Sequence, residues 1–173
     1  MMRKILILIT LLGLSLLGFS QEIKWISFEK AVELNKTTPK KIIVDVYTDW
    51  CHWCKVMDKQ TFSNPKIAEL ISKDFYAVKL NAEGKDKITF QDKEFNFVPS
   101  GQRGVHELAY ALLGGQMSFP SLVFLDQENK MIDKIPGYLK PADLEPLLLI
   151  VKDELYKDKE KLENFRKTFK SKL

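Results

Sequence analysis

The hydrophobic pattern divides the chain into a leader and a folded part. Ile5 to Leu17 is an apolar run broken only by Thr10, Gly13 and Ser15, preceded by Arg3 and Lys4. Gly18 and Ser20 place small residues three and one positions before Gln21. A short positive head, an apolar stretch and small residues before a boundary are the layout of a cleavable secretory signal. Residues 1–20 are therefore expected to be removed near Gln21, leaving a periplasmic or secreted protein. The run is shorter than the roughly 20 apolar residues of a spanning helix, which disfavours a retained anchor. No cysteine lies near its end to carry a lipid.

Beyond the leader the pattern alternates between helical and strand periods. Phe28, Ala31, Val32 and Leu34 have helical spacing, with Ser27 as the cap. Ile42 to Thr48 is β-rich with little alternation, which predicts a central strand covered on both faces. Helix resumes from Cys54 to about Gln60 and again after Asn64-Pro65, with Asn64 capping and Pro65 in the first helical position. Phe75 to Leu80 reads as a second strand. Ile88–Phe90 and Phe95–Val98 flank a polar turn and suggest one small hairpin. Gly104 to Leu113 has helical spacing ended by Gly114-Gly115. Ser121–Asp126 and Met131–Ile135 are two further strands joined by a turn. From Pro141 to about Lys170 the chain reads as helix, with Asp143 as a cap that would place Pro146 in a tolerant first turn. The order predicts an α/β fold with a mixed sheet flanked by helices. Residues 21–152 form one domain, followed by a charged helical extension at 153–173.

Composition changes this picture little. The 173 residues carry 45% hydrophobic and 29% charged positions, enough for one proper core. The formal charge of +4 falls to +2 once Arg3 and Lys4 are set aside with the leader. Lysines and acids are interspersed, with no basic block or aromatic-basic interleaving, so nucleic acid is not an expected partner. A monomer is expected.

The cysteines change it a great deal. There are two, Cys51 and Cys54. A structural staple gains from a long closed loop; this loop yields roughly 2 kcal/mol against about 4–5 for a hundred-residue loop. The pair is better placed for exchange. It lies between a buried strand and a helix start, where free N–H groups and the helix dipole favour a thiolate, the attacking species in disulfide exchange. Cys51 is thus the expected nucleophile and Cys54, one turn in and more buried, the resolving thiol. His52, when protonated, would add to thiolate stabilisation; equally, it reads as a solvent-facing residue of no consequence.

The segment Val44-Asp45-Val46-Tyr47-Thr48-Asp49-Trp50-Cys51-His52-Trp53-Cys54-Lys55 resembles the active-site segment of thioredoxins, with its acid six residues before the first cysteine and then W-C-x-x-C-K. Ala77-Val78-Lys79-Leu80-Asn81 resembles their next strand, Phe119-Pro120-Ser121 their cis-proline segment, and Gly137 the glycine after their last hairpin. The resemblance implies a thioredoxin-like fold and a redox-active Cys51–Cys54 disulfide without other cofactor. It implies that Asp45 is a buried acid exchanging a proton with Cys54 and that Lys79 modulates it. It also implies that Pro120 is cis and presents the Phe119 backbone to an extended substrate, with Trp50, His52 and Trp53 as substrate-binding surface. A strand-end aspartate in water and an ordinary surface lysine are the plain alternatives.

Two departures refine the expectation. The His-Trp interior, with Lys55-Val56-Met57 and Thr61-Phe62-Ser63-Asn64-Pro65, resembles thioredoxin-like proteins related to the C-terminal domain of DsbD. About twenty additional residues before Pro120 imply a hairpin-plus-helix insertion at about 84–117 that restricts partners. The expected function is an extracytoplasmic thiol–disulfide oxidoreductase acting on protein thiols and disulfides, a reductase or isomerase rather than an oxidant, fed by a membrane electron donor. The alternative is a redox-sensing binding module or chaperone without turnover. A zinc site is disfavoured because two thiols with His52 or His106 lack the second pair of ligands. The T-x-x-C of Thr48 to Cys51 also occurs in peroxiredoxins, but Val44 stands where their proline belongs.

Overall fold

The computed structural model describes residues 22–171 and Leu173; the leader expected at 1–20 lies outside the described residues. Strands β1 (Trp25–Ile26), β2 (Lys41–Tyr47), β3 (Phe75–Asn81), β8 (Ser121–Leu125) and β9 (Met131–Pro136) form one sheet in the order β1-β3-β2-β8-β9. β3 runs parallel to both β1 and β2, whereas β8 is antiparallel to β2 and to β9. The sheet is therefore mixed, and β2 is its centre.

Helices cover both faces of β2, which is why it is apolar without alternation. Ile42, Val44 and Val46 pack with Phe28 of α1 (Phe28–Asn35) and with Leu108 and Leu112 of α4 (Glu107–Leu112). Ile43 faces the other way, towards Met57 of α2 (His52–Met57), Ile67 and Ile71 of α3 (Pro65–Asp74), and Leu144 and Leu148 of α5 (Pro141–Lys152). Side chains alternate along a strand, so Asp45 shares the Ile43 face and lies under the helix that begins at the cysteines.

Local chemistry sets the helix starts. Ser27 Oγ accepts from the Lys30 N–H at 3.2 Å, and Asn64 Oδ1 accepts from the Lys66 and Ile67 N–H groups with Pro65 first in its helix. Such caps satisfy N–H groups that the helix itself leaves open.

Several expectations are corrected. The segment between β3 and β8 holds two hairpins and a helix. The first hairpin pairs β4 (Ile88–Phe90) with β5 (Lys93–Phe95) through Gln91 and Asp92, both at positive φ. The second pairs β6 (Phe97–Ser100) with β7 (Arg103–His106). Gly104 therefore lies in a strand, not at a helix start, and its missing Cβ leaves room for the Phe97 ring. Pro146 sits inside α5 rather than in its first turn. The helix starts at Pro141, and Asp143, its third residue, accepts from the Lys140 N–H at 3.2 Å instead of capping. The C-terminal helix is not continuous. Glu154 adopts positive φ, a 3-10 turn follows at Leu155–Lys157, and α6 (Lys159–Thr168) starts afresh on an Asp158 cap.

Candidate active site

Cys51 and Cys54 form a disulfide at the point where β2 delivers the chain to α2. The Cys51 N–H donates to the Thr48 carbonyl at 3.1 Å, closing the turn after the strand. Cys51 is the N-cap of α2, and its Sγ accepts the Cys54 N–H at 3.1 Å. A sulfur holding a helix N-cap position meets both an unpaired donor and the positive end of the dipole, which favours the thiolate upon reduction. The expected burial contrast is absent, since Cys51 is 4% and Cys54 3% exposed. Both residues are packed into the strand–helix junction.

Beneath α2, Asp45 is only 1% exposed. In register it stands beside Lys79 on β3 and Leu122 on β8. Lys79 Nζ donates to Asp45 Oδ2 at 2.7 Å, and Asp45 Oδ1 has no hydrogen-bond partner among the described residues. Burial pushes the carboxyl up, the Lys79 cation only partly offsets it, and the outcome is a pKa of about 6. That places its proton exchange close to neutrality.

Lys79 also contacts Asp58, a residue with no role in the sequence reading. Asp58 opens a π-helical turn (Asp58–Phe62) that continues α2, and it lies four residues after Cys54. That i, i+4 spacing below the second cysteine was the available signal. The Lys79 ammonium lies 4.9 Å from the Trp25 ring centroid, 5.2 Å from Tyr47 and 5.4 Å from Phe62. Burial works against the cation, but Asp45 and Asp58 outweigh it and raise its pKa. Lys79 is held charged between two carboxylates and three ring faces.

The outer side of the disulfide is aromatic. Trp50 is 51% and Trp53 56% exposed. Trp50 donates through Nε1 to Glu83 at 3.0 Å, meets Phe119 edge-on at 6.0 Å, and carries the Arg103 guanidinium over its ring at 4.3 Å. Trp53 lies against Tyr138 at 5.4 Å and edge-on to His52 at 5.7 Å. His52 is exposed beside the cysteines. The Phe119–Pro120 bond is cis, and the Pro120 carbonyl accepts from the Gly137 N–H at 2.8 Å. Glu83, Arg103 and Tyr138 escape a sequence reading because their proximity to Trp50 and Trp53 depends on chain paths that no local pattern encodes.

His106, considered as a metal ligand, is buried and engaged at both ring nitrogens. Nδ1 accepts the Leu108 N–H at 3.2 Å and caps α4, while Nε2 lies 2.9 Å from the Asp86 carbonyl.

Residues 28–152 match the thioredoxin-like domain family. The thiol:disulfide interchange protein DsbD of Photorhabdus laumondii is 25% identical over 125 residues, covering 71% of this chain and 18% of that protein. The human spermatogenesis-associated protein 20 is 36% identical over 62 residues, covering 36% of this chain and 7% of that protein. The chain thus spans less than a fifth of either of these curated relatives. The solution structure of a thioredoxin from Thermus thermophilus superposes with a TM-score of 0.56 at 19% identity, covering 75% of this chain and 87% of that one. By family match, sheet order and the disulfide closing its C-x-x-C motif, the chain belongs to the thioredoxin-like family, with a redox centre consistent with a disulfide oxidoreductase.

Proposed function

We propose that the protein is an extracytoplasmic thiol–disulfide oxidoreductase that reduces or isomerises disulfides in other proteins. The observation that carries this reading is the Cys51–Cys54 disulfide at the start of α2, with Asp45 buried beneath the same helix at a pKa of about 6. In the reduced form, Cys51 attacks a substrate disulfide and releases one substrate thiol. Cys54 then attacks the mixed disulfide, gives up its proton to the Asp45 carboxylate, and releases the second thiol. Two electrons pass from the dithiol to the substrate. Trp50 and Trp53 supply apolar surface for the incoming chain, and the segment ending at Phe119-Pro120 lines the same rim.

Similarity to DsbD supports protein thiols as partners. The resemblance of the His-Trp motif interior to DsbD-related proteins favours reduction over oxidation as the direction, with a membrane protein as electron donor. The apolar run at 5–17 supports export.

The reading is tested by trapping. A Cys54→Ser variant expressed with its leader should accumulate Cys51-linked mixed disulfides in the extracytoplasmic fraction, and Cys51→Ser should accumulate none. Absence of mixed disulfides, together with no insulin reduction by the mature dithiol form, would leave a binding module without turnover. A reduction potential near −270 mV, roughly that of thioredoxin, fits a reductant, and one near −120 mV, roughly that of DsbA, would reverse the direction.

A further inference from the structure

Arg103 belongs to the inserted hairpin yet reaches the rim of the disulfide. Its guanidinium lies 4.3 Å from the centroid of Trp50, the residue before Cys51. Trp50 is held in place independently, with its Nε1 on Glu83 at 3.0 Å and its edge against Phe119 at 6.0 Å. The ribbon that presents Arg103 is tied down at its base. The His106 N–H donates to the Ala82 carbonyl at 2.7 Å, the Glu107 N–H to the Asn96 carbonyl at 2.9 Å, and Glu107 accepts the Asn96 N–H at 2.8 Å. Gly104, next along, lets the Phe97 ring close onto the backbone.

Arg103 is exposed, and no acid pairs with it among the described residues. Glu83 sits at the indole edge, off the ring face that the guanidinium covers. A guanidinium over a ring face still has N–H donors to offer, and their fork geometry matches a carboxylate. Trp50 immediately precedes Cys51 and meets Phe119, the residue before the cis-proline, so the guanidinium covers a residue that flanks the sulfur.

We infer that Arg103 is a specificity-determining residue that selects substrates carrying a carboxylate next to the attacked cysteine. The inference rests on the thiol–disulfide exchange reading above and adds a substrate class to it. Arg103 does not touch the reacting sulfurs; it discriminates by the charge beside them.

The test uses the mature protein, reduced with dithiothreitol and freed of excess reagent. It is mixed with three disulfide-linked peptides that differ only in having Glu, Gln or Lys next to the cysteine. Tryptophan fluorescence follows the single turnover. The Glu peptide should react about tenfold faster than the Gln peptide, as one charge-assisted hydrogen-bonded pair allows. The advantage should shrink as ionic strength rises. Arg103→Gln should bring the Glu/Gln ratio close to one, and Arg103→Glu should transfer the preference to the Lys peptide. Equal ratios in the parent and both variants would overturn the inference while leaving exchange activity intact. Failure to reduce any of the peptides would overturn the exchange reading itself, and this inference with it.

Discussion

Two cations lie over aromatic rings on either side of the disulfide, and they are put to different uses. Lys79 sits below it, mostly shielded, against Trp25, Tyr47 and Phe62 and between Asp45 and Asp58. Arg103 sits above it, exposed, against Trp50 and in no ion pair among the described residues. Below, burial lifts Asp45 to about 6 against the pull of the Lys79 cation, and the two acids keep Lys79 charged. Above, solvent screens the charge, and its effect on stability is small. It remains available to a partner. The same pairing of cation and ring thus serves proton storage when buried and recognition when exposed.

The largest expected effect comes from removing the buried acid. The folded-state pKa of Asp45, about 6, lies above its ordinary value of 3.8. The neutral form is therefore favoured by folding. Stability linked to this group is fully present below about pH 4 and is lost as pH rises through 6, by about 3 kcal/mol in all. Asp45→Asn should flatten that decline in denaturant titrations at pH 4, 6 and 8, and should slow release of the mixed disulfide at neutral pH. An unchanged pH gradient would show that the lower cluster does not store a proton. Lys79→Met removes the cation that holds Asp45 down, so the acid limb of the reduction rate should move to higher pH, and a shift to lower pH would reverse the assignment of forces.

Smaller effects belong to the outer side. Gly104→Ala drives a Cβ into the Phe97 ring and should cost about 1–3 kcal/mol, the range of overpacking, while leaving the pH gradient of stability as it was. Arg103→Gln should cost no more than about 0.5–1 kcal/mol, the worth of an exposed cation–ring contact. A loss comparable to that of the buried cluster would abolish the distinction between the two sides.

Much of the lower side is legible in the sequence. β2 is an unbroken apolar run, and its one acid, Asp45, is conspicuous because a strand covered on both faces has no water to offer it. Asn64-Pro65 announces α3 by its own chemistry. The upper side is less legible. Val105, Leu108, Ala109 and Leu112 keep helical spacing, yet Val105 lies half-buried in β7, outside the core cluster that takes the other three. Pro99 within β6 disguises that strand, and the two-residue β1 is too short for any periodicity. Pro146 is accommodated within α5, although a proline there removes one hydrogen bond. Asp58 offers only its spacing of four residues after Cys54, and the π-helical turn that it opens leaves no mark in the sequence. Arg103 was missed because its contact is made by an insertion folding back on the site.

Lys41, at the far end of β2 from the cysteines, has a bearing on how the molecule can respond to a change of redox state. Its ammonium, 8% exposed, donates to the Lys152 carbonyl at 3.2 Å and pairs with Glu154, fastening the root of β2 to the end of α5. With strands on both sides and an anchor at its foot, β2 is a fixed post. Adjustments on opening the disulfide are therefore expected in the short arc from Thr48 to Trp53. Amide exchange should then differ between the two redox forms along that arc and stay level from Ile42 to Val46, a pattern that a sliding or tilting strand would not produce.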